Sequence, residues 1–234
     1  MPTAKHIIAL GGGGFSMEPE NPLLDDFILS LTGKQKPKVC FVPTASGDAE
    51  GYVQKFYAAF PAERADASHL ALFWRTVSDL REFVLAQDVI YVGGGSTVNM
   101  LAVWRAHGLD AILREAWEAG VILCGVSAGA LCWFESGSTD AFGSGLSPLR
   151  DCLGFLPGNF CPHYDGEELR RSTFHQFIAN GLPDGFAADD GVAQHFAGTE
   201  LVEAVSSQPN ALAYRVERQG DSIVETPLAT RFLG

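Results

Sequence analysis

The chain lacks the features that mark several common classes of protein. Its 234 residues hold 16 lysines and arginines against 28 acidic residues, a net charge of −12, and the acidic residues are spread along the chain. Nucleic-acid binding requires a basic face, so nucleic acid is not an expected partner. No apolar run approaches the length of a membrane span and no signal peptide precedes the first strand-like segment, so we expect no membrane association.

Cysteines are few and odd in number, at positions 40, 124, 132, 152 and 161, and no C-x-x-C pair occurs. Most of them lie among apolar residues, which predicts reduced core cysteines and a cytoplasmic location. No cluster of His, Cys, Asp and Glu has the spacing of metal ligands, so we expect neither a metal nor a cofactor.

The first two thirds of the chain alternate strand-like and helical segments separated by glycine-rich turns. Strand-like runs occupy residues 7–10, 38–42, 70–73, 88–92 and 121–124, and helical runs occupy 23–31, 52–60, 98–107 and 109–119. Such alternation predicts a parallel sheet with helices on both faces. Ligands bind at the carboxyl ends of such strands, so the turns at 11–14, 43–48, 93–97 and 125–129 should share one edge.

The last third of the chain has a different pattern. Residues 136–148 are rich in Gly and Ser and predict a loop, and residues 167–179 predict a helix. Segments 201–205, 211–216 and 222–226 predict short antiparallel strands that complete one edge of the sheet. We therefore expect one α/β domain, residues 1–234, with a three-layer, doubly wound, mostly parallel sheet and antiparallel strands near the C-terminus.

The segment from Val121 to Glu135 contains Gly125-Val126-Ser127-Ala128-Gly129, a G-x-S-x-G pattern between a strand and a helix. A sharp turn there would expose the Ser127 hydroxyl at the carboxyl edge of the sheet, as in a nucleophile elbow. A serine that only caps the following helix is the alternative interpretation.

A serine nucleophile needs a base and an acid that orients the base. Among six histidines, His163 is the candidate because it follows Pro162 at the end of an apolar run predicted to be a strand. Asp189 and Asp190 are equal candidates for the acid, although Asp-Asp-Gly is also a strong hairpin-turn signal. The Ala128 N–H and the turn at 93–95 could supply oxyanion donors. That turn lacks the lysine of a phosphate-binding P-loop, and the tetraglycine at 11–14 does not match a dinucleotide fingerprint.

Four motifs in this order resemble the peptidase E family, which comprises α-aspartyl dipeptidases and the related cyanophycinases. They are Val92-Gly93-Gly94-Gly95-Ser96-Thr97, Gly125-Val126-Ser127-Ala128-Gly129-Ala130, Cys161-Pro162-His163-Tyr164 and Asp190-Gly191, within a match from residue 7 to about 197. The resemblance implies a fold like the class I glutamine amidotransferase domain, which is flavodoxin-like. This chain differs from the dipeptidases at two positions. It has Ser at position 96, where they usually have Asn, and Asp at position 190, where they have Glu.

The resemblance also implies roles for individual residues. Ser127 would be the nucleophile, His163 the base and Asp190 the acid, with Gly95 and Ala128 as oxyanion donors. Arg170 or Arg171 would bind the carboxylate of an N-terminal aspartate, because an arginine fork suits a carboxylate. A solvated helix face is the alternative interpretation of the two arginines.

These observations give the hypothesis of a cytoplasmic serine peptidase that acts on dipeptides or short peptides, as a monomer or homodimer. A cyanophycinase-like hydrolase of an aspartyl-arginine polymer is one alternative. A non-catalytic binding module on the same fold is another, and esterase or amidase chemistry at the same elbow is a third.

Overall fold

The computed structural model describes residues 5–143, 145–166 and 168–234. Two sheets, one 8-stranded and one 6-stranded, organise these residues. The strands of the first half of the chain are β1 (His6–Leu10), β2 (Lys38–Val42), β3 (Asp66–His69), β4 (Val89–Val92) and β5 (Ile122–Val126). The later strands are β6 (Ser136–Thr139), β7 (Ser147–Arg150), β8 (Asn159–Cys161), β9 (Gly185–Ala188), β10 (Val192–Ala197), β11 (Glu200–Ser206), β12 (Ala213–Gln219), β13 (Ser222–Leu228) and β14 (Thr230–Phe232).

Helices connect the parallel strands. They are α1 (Gly14–Met17), α2 (Leu23–Ser30), α3 (Glu50–Ala59), α4 (Leu80–Leu85), α5 (Thr97–His107), α6 (Leu109–Glu118), α7 (Ala128–Leu131) and α8 (Arg170–Ala179), with a 3-10 turn at Thr44–Ser46. The ends of α5 follow local chemistry, because the Ser96 hydroxyl accepts from the Asn99 N–H at 3.3 Å and Gly108 ends the helix at φ 69°. None of the helices in the described ranges is both long and apolar enough to cross a membrane.

The larger sheet has the strand order β14-β11-β10-β1-β5-β4-β2-β3. The five strands from the first half of the chain pair in parallel, and β10 and β11 extend the sheet in antiparallel pairs beside β1. This order matches the predicted parallel sheet and its antiparallel extension. Successive residues of β1 point to opposite faces: Ile7 and Ala9 join one hydrophobic cluster, and Ile8 and Leu10 join another.

Helices cover both faces of the larger sheet, which gives the predicted three layers. The first cluster receives side chains from α4, α5, α6 and α7, including Trp104 and Leu113. The second receives side chains from α1, α2 and α3, including Phe15, Leu24 and Phe56. These side chains are almost fully buried, so each face contributes a large part of the hydrophobic stabilisation.

The second sheet was not predicted. Its order is β13-β12-β9-β8-β6-β7, so the C-terminal strands are divided between two sheets. The prediction of a loop over residues 136–148 is wrong, because β6 and the start of β7 lie there as an antiparallel pair. Ser136, Ser138 and Thr139 are buried polar residues, so this strand lacks the apolar alternation that would have revealed it.

Two other boundaries differ from the predictions. The strand predicted at residues 70–73 lies instead at Asp66–His69, on the edge of the larger sheet, where it pairs in parallel with β2. Leu70 and Leu72 are buried beyond the end of this strand, which explains the misleading apolar signal. The helix predicted from residue 167 begins at Arg170, and Glu167 itself lies outside the described residues.

The turns after β1, β2, β4 and β5 converge at one edge of the larger sheet. The Ser127 N–H donates to the Leu10 carbonyl at 3.1 Å, and the Ser96 N–H donates to the Ala45 carbonyl at 2.8 Å. A Cβ on Gly94 would lie 3.4 Å from the Ser127 Cβ. These contacts bring together chain segments that are far apart in sequence.

The turn after β5 is packed too closely for side chains on its two glycines. A Cβ on Gly125 would lie 2.3 Å from the Gly129 carbonyl oxygen, and a Cβ on Gly129 would lie 2.3 Å from the Val92 carbonyl oxygen. Both neighbours are backbone atoms of the sheet and of α7, which cannot rotate away. Glycine at these positions therefore allows the sharp turn between β5 and α7.

Alanine at Gly129 is expected to lower the free energy of unfolding by about 1–3 kcal/mol or more, because the new methyl overpacks the turn. Gly51 provides the matched control, since nothing lies within 4 Å of its Cβ position and it is in α3. Gly51→Ala is expected to raise stability by about 0.5–1 kcal/mol through its helix propensity. Urea unfolding curves measure both, and equal stability of the two variants would contradict the packing argument.

Candidate active site

Ser127 lies at the turn between β5 and α7 in a backbone conformation that serine rarely adopts. Its φ is 57° and its ψ is −114°, and its side chain makes no capping hydrogen bond to α7. The interpretation of Ser127 as a helix cap is therefore wrong. A strained conformation of this kind persists only where the surrounding structure enforces it, and such residues cluster at functional sites.

His163 and Asp190 form a direct pair. His163 Nδ1 and Asp190 Oδ1 lie 2.6 Å apart, and their side chains are 19% and 35% exposed. This contact leaves Nε2 as the remaining ring nitrogen. His163 has φ 52°, and its N–H donates to the Gly11 carbonyl at 3.2 Å, so the first glycine-rich turn holds the backbone of the histidine.

Gly12 is a position of the tetraglycine, residues 11–14, where a side chain would not fit. A Cβ at this position would lie 1.9 Å from Asp190 Oδ1 and 3.1 Å from His163 Nδ1. The Gly12 carbonyl also accepts from the Gly191 N–H at 3.3 Å. The turn after β1 therefore makes room for the His163–Asp190 pair and fixes the chain beside it.

Asp189 and Asp190 occupy different environments, so the structure separates two residues that the sequence left equal. Asp189 Oδ2 accepts from the Leu212 N–H at 3.0 Å and from the Tyr214 hydroxyl at 3.4 Å. Asp189 is only 5% exposed, and burial raises the pKa of its carboxyl group. The Asp-Asp-Gly segment is not a hairpin turn, because β9 before it and β10 after it belong to different sheets.

A cavity of about 400 Å³ opens beside Ser127. Ser127, His163, Gly95, Ala128 and Arg170 all line it. Within the described residues, Ser127 and His163 make no hydrogen bond to each other. They are related by lining the same cavity. A larger cavity of about 540 Å³ is lined by Asp190 and Gly191, but neither Ser127 nor His163 lines it.

The backbone around the cavity offers N–H groups near Ser127. Gly95 has φ 136°, and a Cβ there would lie 2.2 Å from the Ala45 carbonyl oxygen, so only glycine fits. Ala128 is the first residue of α7, where an N–H has no acceptor within its own helix. The Tyr52 hydroxyl accepts from the Gly94 N–H at 3.2 Å and supports the same turn.

The two candidate arginines are adjacent in the sequence but have different surroundings. Arg170 is 3% exposed and lines the cavity, so it does not lie on a solvated helix face. The Arg171 guanidinium lies 4.8 Å from the ring centroids of both Tyr164 and Tyr214, and Arg171 Nη2 lies 3.3 Å from Glu225 Oε1. Arg171 is not among the cavity-lining residues.

Three polar cavity-lining residues were missed from the sequence: Ser138, Thr139 and Asp140. They lie on β6 and just after it, in the segment predicted as a loop. Asp140 is exposed, and among the described residues its carboxylate has no hydrogen-bond or ion-pair partner. The segment contains no motif that distinguishes this acid from other surface aspartates.

Comparisons with known proteins agree with the fold and with the glycine-rich motifs. A model of peptidase family S51 matches residues 7–204. An uncharacterized peptidase, YgaJ, of Bacillus subtilis (strain 168) is 54% identical over 231 residues, which cover 98% of this chain and all of that protein. Peptidase E of Pasteurella multocida is 27% identical over 188 residues, 76% of this chain and 78% of that protein.

The chain belongs to peptidase family S51, and the resemblance to the peptidase E family is confirmed. The crystal structure of a peptidase from an acI-B1 actinobacterium superposes with a TM-score of 0.69 at 17% identity, covering 97% of this chain and 98% of that one. This likeness supports the predicted flavodoxin-like α/β fold. The family assignment makes the protein a peptidase.

Exchanging the two neighbouring aspartates for asparagine separates their roles. Asp190→Asn is expected to lower the rate of peptide hydrolysis by about 10⁴-fold, as loss of the orienting carboxylate does in serine proteases, because the imidazole is held in the wrong tautomer. Asp189→Asn is the matched control and is expected to retain most of the activity. Assays at a temperature where both variants are folded measure the difference, and a larger loss in Asp189→Asn would reverse the assignment.

Proposed function

We propose that this protein is a serine peptidase that hydrolyses dipeptides or short peptides with an N-terminal aspartate. The observation that supports it most is the 2.6 Å contact between His163 and Asp190 beside a cavity that Ser127 also lines. The positive φ of Ser127 at a strand-to-helix turn supports its role as the nucleophile. The five buried free cysteines favour a reducing compartment, in keeping with a cytoplasmic enzyme.

In the proposed reaction, the Ser127 oxygen attacks the scissile carbonyl carbon while His163 Nε2 takes the hydroxyl proton. Asp190, bound at Nδ1, stabilises the imidazolium that forms. The Gly95 and Ala128 N–H groups donate to the oxyanion of the tetrahedral intermediate. His163 then gives its proton to the leaving amine, and water repeats the sequence to release the acyl group from Ser127. Free enzymes commonly lack a tight hydrogen bond between nucleophile and base, so its absence is compatible with this scheme.

Two charged side chains at the cavity suit the two ends of an N-terminal aspartate. Arg170 is buried and cationic, and a guanidinium can bind a side-chain carboxylate in a bidentate manner. Asp140 lines the same cavity, and its carboxylate is free to accept from the α-ammonium group of the substrate. A substrate whose first residue carries both charges could contact both groups. The amine contact would also explain cleavage after the first residue only.

Ser127→Ala is expected to lower hydrolysis of an Asp-Leu dipeptide by several orders of magnitude and to abolish labelling by a fluorophosphonate. Ser138→Ala is the matched control, because Ser138 is a second cavity-lining hydroxyl whose Oγ lies 3.1 Å from Cys161 Sγ. Mass spectrometry should locate the label on Ser127 in the wild type and in Ser138→Ala. Full activity of Ser127→Ala would refute the assignment, and a wild type that is neither labelled nor active would indicate a non-catalytic module.

Arg170→Ala is expected to weaken cleavage of Asp-Leu relative to Asn-Leu by about 10- to 100-fold, the value of a hydrogen bond to a charged group. Arg215→Ala is the control for loss of an arginine elsewhere in the second sheet, because Arg215 lies over the Phe186 ring, pairs with Glu217 and does not line the cavity. Arg171→Ala is expected to slow both dipeptides without a comparable loss of preference.

Kinetics with both dipeptides measure these ratios. An unchanged preference for Asp-Leu in Arg170→Ala would remove the specificity argument and leave the triad standing. Release of β-Asp-Arg from an aspartyl-arginine polymer, with no dipeptide hydrolysis by the wild type, would favour the cyanophycinase-like alternative.

A further inference from the structure

Glu225 lies on β13 of the second sheet and accepts from side chains of three residues. The Tyr164 hydroxyl donates to Glu225 Oε2 at 2.5 Å, and His175 Nε2 lies 2.9 Å from the same oxygen. Arg171 Nη2 lies 3.3 Å from Glu225 Oε1. The Glu225 side chain is 19% exposed, so its carboxylate is largely shielded from water, whereas Arg171 and His175 at the rim of the cluster are 47% and 31% exposed.

Two of the three partners of Glu225 are sequence neighbours of proposed site residues. Tyr164 follows His163, and Arg171 follows Arg170 on α8. The Arg171 guanidinium packs against the rings of both Tyr164 and Tyr214, 4.8 Å from each centroid, and the two centroids are themselves 5.2 Å apart. The base and the specificity arginine are therefore each one residue from a side chain fixed by Glu225.

Contacts of the same cluster also extend to the residue before Asp190. The Tyr214 hydroxyl donates to Asp189 Oδ2 at 3.4 Å, and Asp189 immediately precedes Asp190. The Tyr164 N–H donates to the carbonyl of Ala188 at 3.1 Å, which ties the segment after β8 to the end of β9. Residues adjacent to His163, Arg170 and Asp190 thus belong to one connected set of contacts.

The backbone conformation of His163 shows why the contacts around Glu225 matter. His163 has φ 52°, a conformation that must be imposed by its surroundings. The Gly11 carbonyl holds its N–H on one side, and Tyr164 is anchored through Glu225 and Ala188 on the other. Loss of the Glu225 carboxylate would leave the Tyr164 hydroxyl, His175 and Arg171 without their shared acceptor.

We propose that Glu225 is a positioning residue that holds His163 and Arg170 in place through Tyr164 and Arg171. The inference rests on the proposed function for the roles of those two site residues. Glu225 lies outside residues 7–204, which the family model matches, so this support comes from the C-terminal hairpin of the chain.

The test compares Glu225→Ala, Glu225→Gln and Tyr164→Phe with the wild type. Glu225→Ala is expected to lower kcat/KM for Asp-Leu on the order of 10- to 100-fold, because small displacements of reacting groups cost that much. Its KM should rise more for Asp-Leu than for Asn-Leu as Arg170 moves. Glu225→Gln keeps one acceptor oxygen and should fall between Glu225→Ala and the wild type. Tyr164→Phe keeps the ring beneath Arg171 and should lower kcat with little change in KM.

Glu203→Gln is the matched control. Glu203 joins another pair of C-terminal strands through Arg231, with Oε2 2.7 Å from Nη2, and it lies on the larger sheet away from the cavity. Its loss should affect unfolding temperature without changing kcat or KM. If Glu225→Ala behaves in the same way, Glu225 has a structural role only and the proposal is wrong.

A spectroscopic readout separates this proposal from the peptidase assignment. The proton shared by His163 and Asp190 should give a low-field resonance in proton NMR, assigned by its absence in Asp190→Asn. Displacement or broadening of this resonance in Glu225→Gln and Tyr164→Phe supports the positioning role even if the wild type cleaves no tested peptide. An unchanged resonance in both folded variants, with unchanged kinetics wherever activity exists, overturns it.

Discussion

The 2.6 Å contact between His163 and Asp190 determines what the rest of the site can do. It fixes the orientation of the imidazole ring, and with it the nitrogen that is left for proton transfer. The contact exists because Gly12 has no side chain at a position where a methyl would overlap the carboxylate. The glycine turn, the histidine and the acid therefore form one steric unit, although they come from three distant parts of the sequence.

The larger sheet and the second sheet position different residues of the site. The parallel strands of the larger sheet present Ser127, Gly95 and Ala128 on backbone that is held by close contacts between turns. The second sheet delivers His163 at the end of β8 and supports α8, which begins with Arg170. The cavity lies where the two sheets meet, so substrate would contact both. A single hydrophobic cluster continues from one sheet into the other, which gives both halves of the site a shared core.

The parallel part of the fold could be predicted because its signals are local and strong. Buried strands such as β4 and β5 are short apolar runs that end in glycine-rich turns, and parallel strands place those turns at one edge. The sharp turn at Ser127 was recognisable for the same reason. The second sheet escaped prediction because β6 is built from Ser, Gly and Thr, whose burial depends on neighbours from remote parts of the chain. Tertiary context overrides propensity in such strands.

The sequence also could not show which of two adjacent, identical residues belongs to the site. Asp189 and Asp190 are chemically identical, and only the pairing of β9 with β12 shows that Asp189 is used by Leu212 and Tyr214. Arg170 and Arg171 differ in the same way, because the rotation of α8 directs one towards the cavity and the other towards Glu225. Asp140 carried no sequence signal at all, since its position depends on the unpredicted strand before it.

The order of the strands along the chain has a consequence for biosynthesis. Ser127 lies near the middle of the polypeptide, whereas β10, which pairs with the first strand, is synthesised later. A nascent chain that stops before β8 lacks His163, and one that stops before residue 190 lacks Asp190, so neither contains the pair that lies 2.6 Å apart in the folded protein. The growing polypeptide therefore cannot form the cavity with this pair beside it until most of its length has been made.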